Sequence, residues 1–521
     1  MTEERATVRV WLGGICVAAS AAALVLTAPD CSSLWWLLPV ALVPMIVAQY
    51  RLLPRRWAPL GVAVVGAAYW ATVILLSSGV TLAWQRALLL LAATAVVYAI
   101  AWLDLRFTAW TRYRFFLIQI PCVWVGLEIL LGLNPVTGST VWLGYRMAPT
   151  PGLIQPVSVL GTPTLTFLLL ALSYGIALLV IALIDRRAES GLGVAGTTAG
   201  GAAEDGGRVS LRPAVFALGA VLAAAVVWCG ASLLIVHDVR QAMGPTVRVA
   251  VVQVGFETNP SHMVPPWLQQ ARSVERDVVE PLAAATRDAA AQGAQLVVWP
   301  EEVLHFDPLV EHAAQIAGIA GDNGVYLVAP FSVGWDAASP NKALVLGPDG
   351  RTLGVCNKVH PVVAEGEAFD QQITPLAFDA DFGAFGVAIC FDNHFVDVVP
   401  EIVDAGARLI AAPTGIWPAE AREQIQTIVF RAVENRVAYA KADVGYSSVI
   451  VRPDGTLAAW TLPEGAPAAH VLVADVPLGP GGSPFSGIGR LFPWVYVAGL
   501  GLIALGYVVL AWRRRASGMR A

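Results

Sequence analysis

The sequence predicts two structural classes in one chain, a polytopic α-helical membrane domain and a layered α/β domain. Hydrophobic residues make up 56% of the 521 residues and charged residues only 14%, with a mean hydropathy of +0.64. These values exceed those of a soluble globular protein. Eight long apolar stretches account for them. From residue 247 the pattern changes to short apolar strands alternating with amphipathic helices, which is typical of α/β layers.

Each of the eight apolar stretches approaches or exceeds the roughly 20 residues that cross a bilayer core as a helix. The second is short and contains proline, so we expect it to be tilted or partly re-entrant. No small-residue cleavage site follows the first, which we expect to remain as an anchor. The stretches lie near 8–27, 33–49, 57–77, 86–103, 115–133, 159–184, 214–236 and 492–512.

Arginines predict the orientation, because cytoplasmic loops carry an excess of positive residues. With seven crossings before Asp238, nearly all loop arginines fall on the side of the amino terminus, and the opposite short loops hold only Arg86 and Arg146. We therefore expect both termini in the cytoplasm and the segment after Asp238 outside. The arginines on the cytoplasmic side are Arg5, Arg9, Arg51, Arg55, Arg56, Arg106, Arg112, Arg114, Arg186, Arg187, Arg208, Arg212, Arg513, Arg514, Arg515 and Arg520.

These patterns divide the chain into three parts. Residues 1–240 are predicted to form a seven-helix transmembrane domain, residues 245–478 an extracytoplasmic α/β domain, and residues 479–521 a linker, an eighth transmembrane helix and a basic cytoplasmic tail. The net charge of −5, without a basic cluster, argues against nucleic acid as a partner. The six cysteines form no Cys-x-x-Cys pair, so neither a disulfide framework nor a metal site is expected.

The predicted outside loop 134–155 is rich in residues suited to a membrane interface, namely Trp142, Leu143, Tyr145 and Met147. Two interpretations stay open for them, an ordinary aromatic belt or one wall of a lipid-binding cleft.

The α/β domain is predicted to contain eight strands, with helices near 309–321, 396–405 and 420–435 and over much of 266–292. Gly350 and Gly455 each follow Pro-Asp and indicate turns after apolar strands. The repeat suggests a sandwich of sheets with helices outside. The predicted strands lie at 247–254, 296–299, 325–329, 343–346, 387–390, 409–412, 437–442 and 447–451.

Three segments of this domain end in reactive groups. Glu301 follows the apolar run 296–299, Lys358 follows Val355 and Cys356, and Cys390 follows 387–389. On its own, a cysteine after an apolar run is more often a buried packing residue. Together the three groups suit acyl transfer, since a thiolate attacks, a carboxylate moves the proton and an ammonium stabilises the oxyanion.

At these motifs the sequence resembles the nitrilase superfamily and, within it, the membrane-embedded apolipoprotein N-acyltransferases. The motifs are Trp-Pro-Glu at 299–301, Asn-Lys-Val-His at 357–360 and Ile-Cys-Phe-Asp at 389–392. The superfamily uses a Glu-Lys-Cys triad on an αββα sandwich, which the resemblance implies for residues 245–478. Seven apolar stretches before this domain and one after it support the acyltransferase branch, as does Trp-Leu-Gly-Tyr at 142–145.

The resemblance implies a role for each triad residue. Glu301 would be the general base and acid, Lys358 the stabiliser of the thiolate and oxyanion, and Cys390 the nucleophile. The backbone N–H of Phe391 is a candidate second oxyanion donor. Glu302 is the alternative to Glu301, which the Trp-Pro-Glu register favours.

Four further residues match family positions around the triad. Glu367 corresponds to a second acid, although Glu365 leaves the register open. Asp392 stands where the family usually has glutamate, while Trp417 and Asn341 match a family aromatic and asparagine. With Phe391, these residues are expected to support the triad or contact substrate.

Three departures from the family pattern cluster near the expected site mouth. Residues 412–417, Ala-Pro-Thr-Gly-Ile-Trp, replace a Ser-Asn-Asp-aromatic segment, and the family's Gln-His pair is absent near Glu423 and Gln424. Pro361 replaces a leucine after His360. These changes bear on substrate detail more than on the triad.

The resemblance implies an enzyme without a cofactor that takes an acyl chain from a membrane phospholipid through a cysteine thioester. The acceptor would be the amino-terminal amine of a diacylglyceryl-cysteine lipoprotein, outside the bacterial cytoplasmic membrane. An apolar ring, for which Leu304, Phe306, Ile416 and Trp417 are candidates, would exclude water. The alternatives are a membrane-tethered nitrilase-type amidase acting on a small amide and a catalytically silent scaffold.

Overall fold

The structure, a computed structural model, describes residues 2–76, 81–189, 207–255, 278–333, 340–362, 367, 377–461 and 468–517. Within these ranges six helices are long and apolar enough to cross a membrane by length and composition, namely α1, α2, α3, α5, α6 and α11. The helices are α1 Thr2–Leu26, α2 Ala58–Leu76, α3 Ala83–Thr111, α4 Gln119–Gly132, α5 Thr162–Glu189, α6 Leu211–Gln241, α7 Val279–Ala291, α8 Ala313–Asn323, α9 Val398–Asp404, α10 Ala421–Asn435 and α11 Trp494–Ala516.

The stretch 33–49, predicted as the second crossing, is not one regular helix. It contains the end of a 3-10 segment, Pro29–Leu37, then a short α-helix, Val43–Val47, and the start of a π-helical turn, Ala48–Leu52. Pro39 and Pro44 lack the N–H that a regular helix needs. Its apolar side chains, including Met45 and Ile46, are buried against other helices.

The stretch 115–133 contains α4, whose 14 residues rise about 21 Å. This is shorter than the roughly 30 Å of a hydrocarbon core. The preceding turn uses left-handed backbone at Arg112 and Tyr113, with φ of 50° and 62°. That turn reverses the chain after α3 and takes up residues that the sequence pattern assigned to the crossing.

The α/β domain contains two six-stranded sheets, ordered β12-β1-β2-β3-β4-β5 and β11-β10-β9-β8-β7-β6. Each sheet has three parallel strands, β1 to β3 and β7 to β9, flanked by antiparallel ones. The strands are β1 Thr246–Val254, β2 Leu296–Val298, β3 Tyr326–Ser332, β4 Asn341–Leu346, β5 Thr352–Asn357, β6 Ala377–Phe378, β7 Phe385–Val387, β8 Leu409–Thr414, β9 Ala438–Asp443, β10 Val449–Val451, β11 Leu457–Trp460 and β12 Ala469–Pro477.

The layers follow from the two-residue period of the strands. In β1, Val249 and Val251 pack between the two sheets, whereas Ala250 and Val252 face α7 and α8. On the second sheet, Ile410 faces the opposite helix layer of α9 and α10. This arrangement confirms the predicted αββα sandwich. The helix layer of the second sheet shares one apolar cluster with the membrane helices, so it is buried on both sides.

Four strands lay outside the sequence prediction, namely β5, β6, β11 and β12. β12 has a largely exposed or half-buried pattern, and β6 has only two residues, so neither gives a strong apolar signal. The strand predicted at 387–390 is instead β7, which ends at Val387. Cys390 opens a 3-10 turn, Cys390–His394.

Candidate active site

The three predicted triad residues follow strand ends that meet at one edge of the sandwich. Glu301 lies beyond β2, Lys358 directly after β5, and Cys390 shortly after β7. β5 runs in the same direction as β3 because β4 is antiparallel to both. The carboxyl ends of the parallel strands are where open α/β sheets usually bind ligands.

The Lys358 ammonium lies between two carboxylates. Its Nζ donates to Glu301 Oε1 at 2.9 Å and to Glu367 Oε1 at 2.8 Å. Asn341, at the start of β4, donates its Nδ2 to the same two oxygens at 2.8 and 3.0 Å. All four side chains are buried or nearly so. The two negative charges are therefore held by one cation and one amide.

The geometry favours the predicted register for both acids. Glu301 is buried against Lys358, whereas its neighbour Glu302 is half-buried and has a left-handed φ of 48°. Glu367 is the second carboxylate on Lys358. Glu365 lies outside the described residues.

Cys390 has a strained backbone that directs its thiol into the site. Its φ of 45° lies in the left-handed region, which costs a non-glycine residue about 1–3 kcal/mol. The thiol hydrogen-bonds to the Glu301 carboxylate, and the backbone N–H of Gly415 donates to the sulfur. Gln424 Nε2 lies 3.9 Å from Sγ on the other side. Cys390, Glu301 and Lys358 are thus in one connected network.

Burial and the nearby Glu301 carboxylate raise the pKa of the Cys390 thiol well above its usual value. Burial also raises the pKa of Glu301, with the Lys358 ammonium opposing the shift. For Glu367, burial is outweighed by Lys358 and by hydrogen bonds, which lower its pKa. The Cys390 thiol is therefore protonated and hydrogen-bonded to Glu301.

A cavity of about 650 Å³ joins this network to the membrane helices. One end is lined by Glu301, Lys358 and Cys390, together with residues from β8, α10 and their loop. The rest is lined by predominantly apolar side chains of α2, α3 and α4, such as those of Val97, Ile100 and Leu127. The thiol is therefore reached from a largely apolar space between membrane helices.

Comparisons with known proteins cover both halves of this architecture. Residues 248–481 match the carbon-nitrogen hydrolase family, and residues 20–175 match the apolipoprotein N-acyltransferase N-terminal domain. The chain is 28% identical to the apolipoprotein N-acyltransferase of Geobacter metallireducens over 95% of this chain and 94% of that protein. The chain belongs to the apolipoprotein N-acyltransferase family. Its catalytic half is also related to a Pyrococcus abyssi nitrilase, which is 32% identical over 30% of this chain and 64% of its own length.

A second apolipoprotein N-acyltransferase, from Gloeobacter violaceus, is 28% identical over 36% of this chain and 40% of its own length.

Asp392 joins two segments of the site, an arrangement that its position in the apolipoprotein N-acyltransferase motif did not reveal. Its Oδ1 accepts the backbone N–H groups of Val359 and His360 at 2.9 and 2.7 Å, and its Oδ2 accepts that of Ile389 at 3.0 Å. Burial raises the pKa of Asp392 to about 7. Asp392 therefore fixes the Lys358 loop to the Cys390 turn and does not line the cavity.

Phe391 and Trp417 both line the cavity beside the nucleophile. Phe391 packs edge-on against Phe395, with ring centroids 5.1 Å apart. The Trp417 indole N–H donates to the backbone carbonyl of Leu76, at the end of α2. Trp417 is thereby a direct link between the catalytic loop after β8 and a membrane helix.

Neither interpretation of the aromatic loop was correct. Trp142, Leu143, Tyr145 and Met147 are all buried, and none of them lines the cavity. The Tyr145 hydroxyl accepts a hydrogen bond from Arg431 Nη2 at 2.7 Å, and its ring packs against a phenylalanine of α10. Tyr145 therefore packs against α10, whereas the Trp142 indole N–H donates to the backbone carbonyl of Glu128 in α4. Val136, Thr137, Thr140 and Val141 of the same loop line the cavity instead.

The expected apolar ring is half correct. Ile416 and Trp417 line the described part of the cavity, whereas Leu304 and Phe306 do not. Leu304 instead forms a β-bridge to Phe331 of β3.

Sequence reasoning missed Gly415 and Gln424 as contacts of the thiol. No local pattern marks them, since each is defined by its distance to a residue far away in the chain.

Proposed function

We propose that this protein transfers a fatty acyl chain from a membrane phospholipid, through a thioester on Cys390, to the amino terminus of a diacylglyceryl-cysteine lipoprotein. Membership of the apolipoprotein N-acyltransferase family supports lipoprotein N-acylation as the reaction class. The observation that carries the proposal is the cavity between the triad and the membrane helices, which provides an apolar path for an acyl chain to the thiol.

The first half-reaction follows from the contacts in the triad. Glu301 takes the thiol proton while the Cys390 sulfur attacks the ester carbonyl carbon of the phospholipid. The Lys358 ammonium stabilises the oxyanion that forms, with the Phe391 N–H as a proposed second donor. The ester C–O bond then breaks, and Glu301 returns its proton to the leaving lysophospholipid alcohol. The products are the acyl-thioester on Cys390 and the lysophospholipid, and Glu301 is again unprotonated.

In the second half-reaction the neutral α-amine of the acceptor attacks the thioester carbonyl carbon. Glu301 takes one amine proton, the C–S bond breaks, and the sulfur receives that proton from Glu301, which restores the resting site. Water would give hydrolysis by the same route. The apolar lining of the cavity disfavours water and so favours the amine.

We propose that the catalytic domain lies outside the membrane and that both termini are cytoplasmic. Arginines end α5 (Arg186 and Arg187) and α11 (Arg513, Arg514 and Arg515), as expected of cytoplasmic ends. From a cytoplasmic amino terminus, seven crossings before β1 place the catalytic domain outside. If the stretch 33–49 and α4 do not cross the membrane, five crossings remain, which is also an odd number and places the domain on the same side.

Mass spectrometry of the purified full-length protein tests the reaction. Wild type, Cys390→Ala and Cys356→Ala are incubated with phospholipid, and a diacylated lipopeptide is then added. Cys356 is the matched control, because it is buried in β5 of the same domain and does not line the cavity. Its burial also raises its pKa, to about 12.

We expect an acyl adduct on Cys390 in wild type and in Cys356→Ala, and none in Cys390→Ala. The adduct should disappear as the lipopeptide gains one amide-linked chain. An adduct that decays to free fatty acid while the lipopeptide stays unchanged would overturn transfer in favour of a tethered hydrolase. Absence of any adduct in folded wild type would overturn the thioester route.

A further inference from the structure

Three buried side chains converge on one wall of the cavity beside the triad. His394 ends the 3-10 turn that begins at Cys390, Glu420 precedes α10, and Glu423 lies in the first turn of α10. One ligand-type atom from each lies within 4.8 Å of the other two. His394 and Glu420 line the cavity. We refer to these three residues as the His-Glu-Glu cluster.

Two atoms of the His-Glu-Glu cluster lack hydrogen-bond partners. Among the described residues, none bonds to His394 Nε2 or to Glu423 Oε2. The two residues are only 0% and 3% exposed. A buried polar atom without a partner costs about 1–3 kcal/mol, so two of them side by side indicate a missing ligand.

The distance between His394 and Glu420 fits two ligands of one ion better than a hydrogen bond. His394 Nε2 lies 3.5 Å from Glu420 Oε1, which is long for a hydrogen bond. Metal–nitrogen and metal–oxygen bonds of about 2.0–2.2 Å place tetrahedral ligand atoms about 3.3–3.6 Å apart. The observed separation already has this length.

Two threonines next to the cluster orient the His394 imidazole and the Glu423 carboxylate. His394 Nδ1 lies 3.1 Å from Thr140 Oγ1, so the hydroxyl can accept the Nδ1 proton and leave the Nε2 lone pair free to bind a metal. Glu423 Oε1 accepts the hydroxyl of Thr427 at 2.8 Å, which leaves Oε2 facing the cluster. An imidazole ligand and carboxylate ligands usually have partners of this kind in metal sites.

The cations near the cluster already have anionic partners. Arg431 is paired with Glu434, and Lys441 with Asp443. Within the described ranges, neither of these two cations is therefore paired with a carboxylate of the cluster.

We propose that His394 Nε2 and the carboxylates of Glu420 and Glu423 bind one divalent transition-metal ion. Imidazole with carboxylates suits ions such as Zn²⁺, Mn²⁺ and Fe²⁺. A fourth position faces the cavity, since His394 and Glu420 line it. The ion ties the turn that carries the nucleophile to the start of α10. No sequence pattern marks this site, because the histidine and the glutamates lie in different segments without a metal-like spacing.

Metal analysis of full-length protein purified with a histidine-free affinity tag tests this proposal. Wild type, His394→Gln, Glu423→Gln and His312→Gln are incubated with Zn²⁺, Mn²⁺ or Fe²⁺, dialysed against metal-free buffer and measured by mass spectrometry of metals. His312 is the matched control, because it is a solvent-exposed histidine that contacts Gln315 outside the cavity. No acyl transfer is measured, so the result is independent of the proposed reaction.

We expect about one ion per chain in wild type and His312→Gln, and at least about tenfold less in the two cluster variants. Wild type that retains no ion, or cluster variants that retain as much as wild type, would overturn the proposal. The first result would indicate a proton shared by Glu420 and Glu423 instead.

X-ray absorption of the metal in wild type alone covers the case in which the variants fail to fold. Nitrogen and oxygen neighbours at about 2.0–2.2 Å are expected. A sulfur neighbour at about 2.3 Å would show a cysteine ligand and would overturn the assignment.

Discussion

Lys358, directly after β5, and Lys441, within β9, are two buried lysines of the same sandwich. They differ in what lies next to them. Lys358 contacts Glu301 and Glu367 and lines the cavity. The Lys441 ammonium bonds to Asp443 Oδ2 at 3.2 Å and to the carbonyl and hydroxyl of Ser447, both at 2.6 Å. Lys441 does not line the cavity.

Burial and pairing are common to both lysines, so they do not mark the one that we propose as catalytic. Asp443 also accepts the backbone N–H groups of Gly445 and Tyr446, at 3.0 and 2.8 Å. Lys441 and Asp443 therefore stabilise the loop after β9. Lys358 instead faces a space that a substrate can enter. Access to the cavity is the property that separates the two.

Replacement of Lys358 by methionine is expected to have the largest effect. The variant keeps the side-chain length but removes the cation that stabilises the oxyanion and compensates two carboxylates. Acyl-enzyme formation should fall at least about 100-fold, as measured by single-turnover mass spectrometry. Lys342→Met is the matched control, since Lys342 is half-buried in β4 and lies outside the cavity lining. A Lys358→Met rate within tenfold of wild type would contradict the assigned role.

Lys441→Met should instead reduce stability. Removing one partner of a buried ion pair costs about 3–5 kcal/mol, because Asp443 is left without its cation. The expected result is a lower thermal unfolding midpoint in detergent, with acyl-enzyme formation by the folded protein within about threefold of wild type. Loss of the reaction without loss of thermal stability would remove the distinction between the two lysines.

The pH dependence of thioester formation should report Glu301. Because the pKa of Glu301 is raised, this base becomes protonated at a higher pH than a free glutamate, whose pKa is about 4.3. A protonated Glu301 can no longer accept the thiol proton. Lys358, Glu367, Cys390 and Glu420 are the charged or titratable groups around it. On the acid side, the single-turnover rate should therefore begin to fall at a pH above 4.3. Below that pH it should fall about tenfold per pH unit.

Glu367→Gln sharpens this measurement. The negative charge of Glu367 is one of the causes that raise the pKa of Glu301, so its removal should move this fall in rate to lower pH. Another group would control the rate if the Glu367→Gln variant lost rate at the same pH as wild type. The same conclusion would follow if the wild-type rate began to fall only at pH 4.3 or below.

The sequence predicted most of the fold and placed Glu301, Lys358 and Cys390 at the ends of apolar segments, because these features depend on local patterns. Apolar strands and the three motifs are visible along the chain. What it could not predict depends on contacts between distant segments. Amphipathic residues such as Trp142 and Tyr145 suit either lipid or protein, and only the position of α10 decides between them. The bonds of Asp392 and the left-handed turn at Cys390 likewise arise from the way two loops meet.

The smallest expected effect concerns the link between the catalytic loop and the membrane. Trp417→Phe keeps an aromatic wall in the cavity but removes the N–H that donates to the Leu76 carbonyl. One such hydrogen bond contributes about 0.5–1.5 kcal/mol, so the rate at low phospholipid concentration should fall no more than about tenfold. Trp460→Phe is the control, because Trp460 is exposed in β11 and away from the cavity. Because the change affects the wall and not the triad, the rate at saturating phospholipid should stay near that of wild type. An equal loss at saturation would mean that the link positions Cys390 itself.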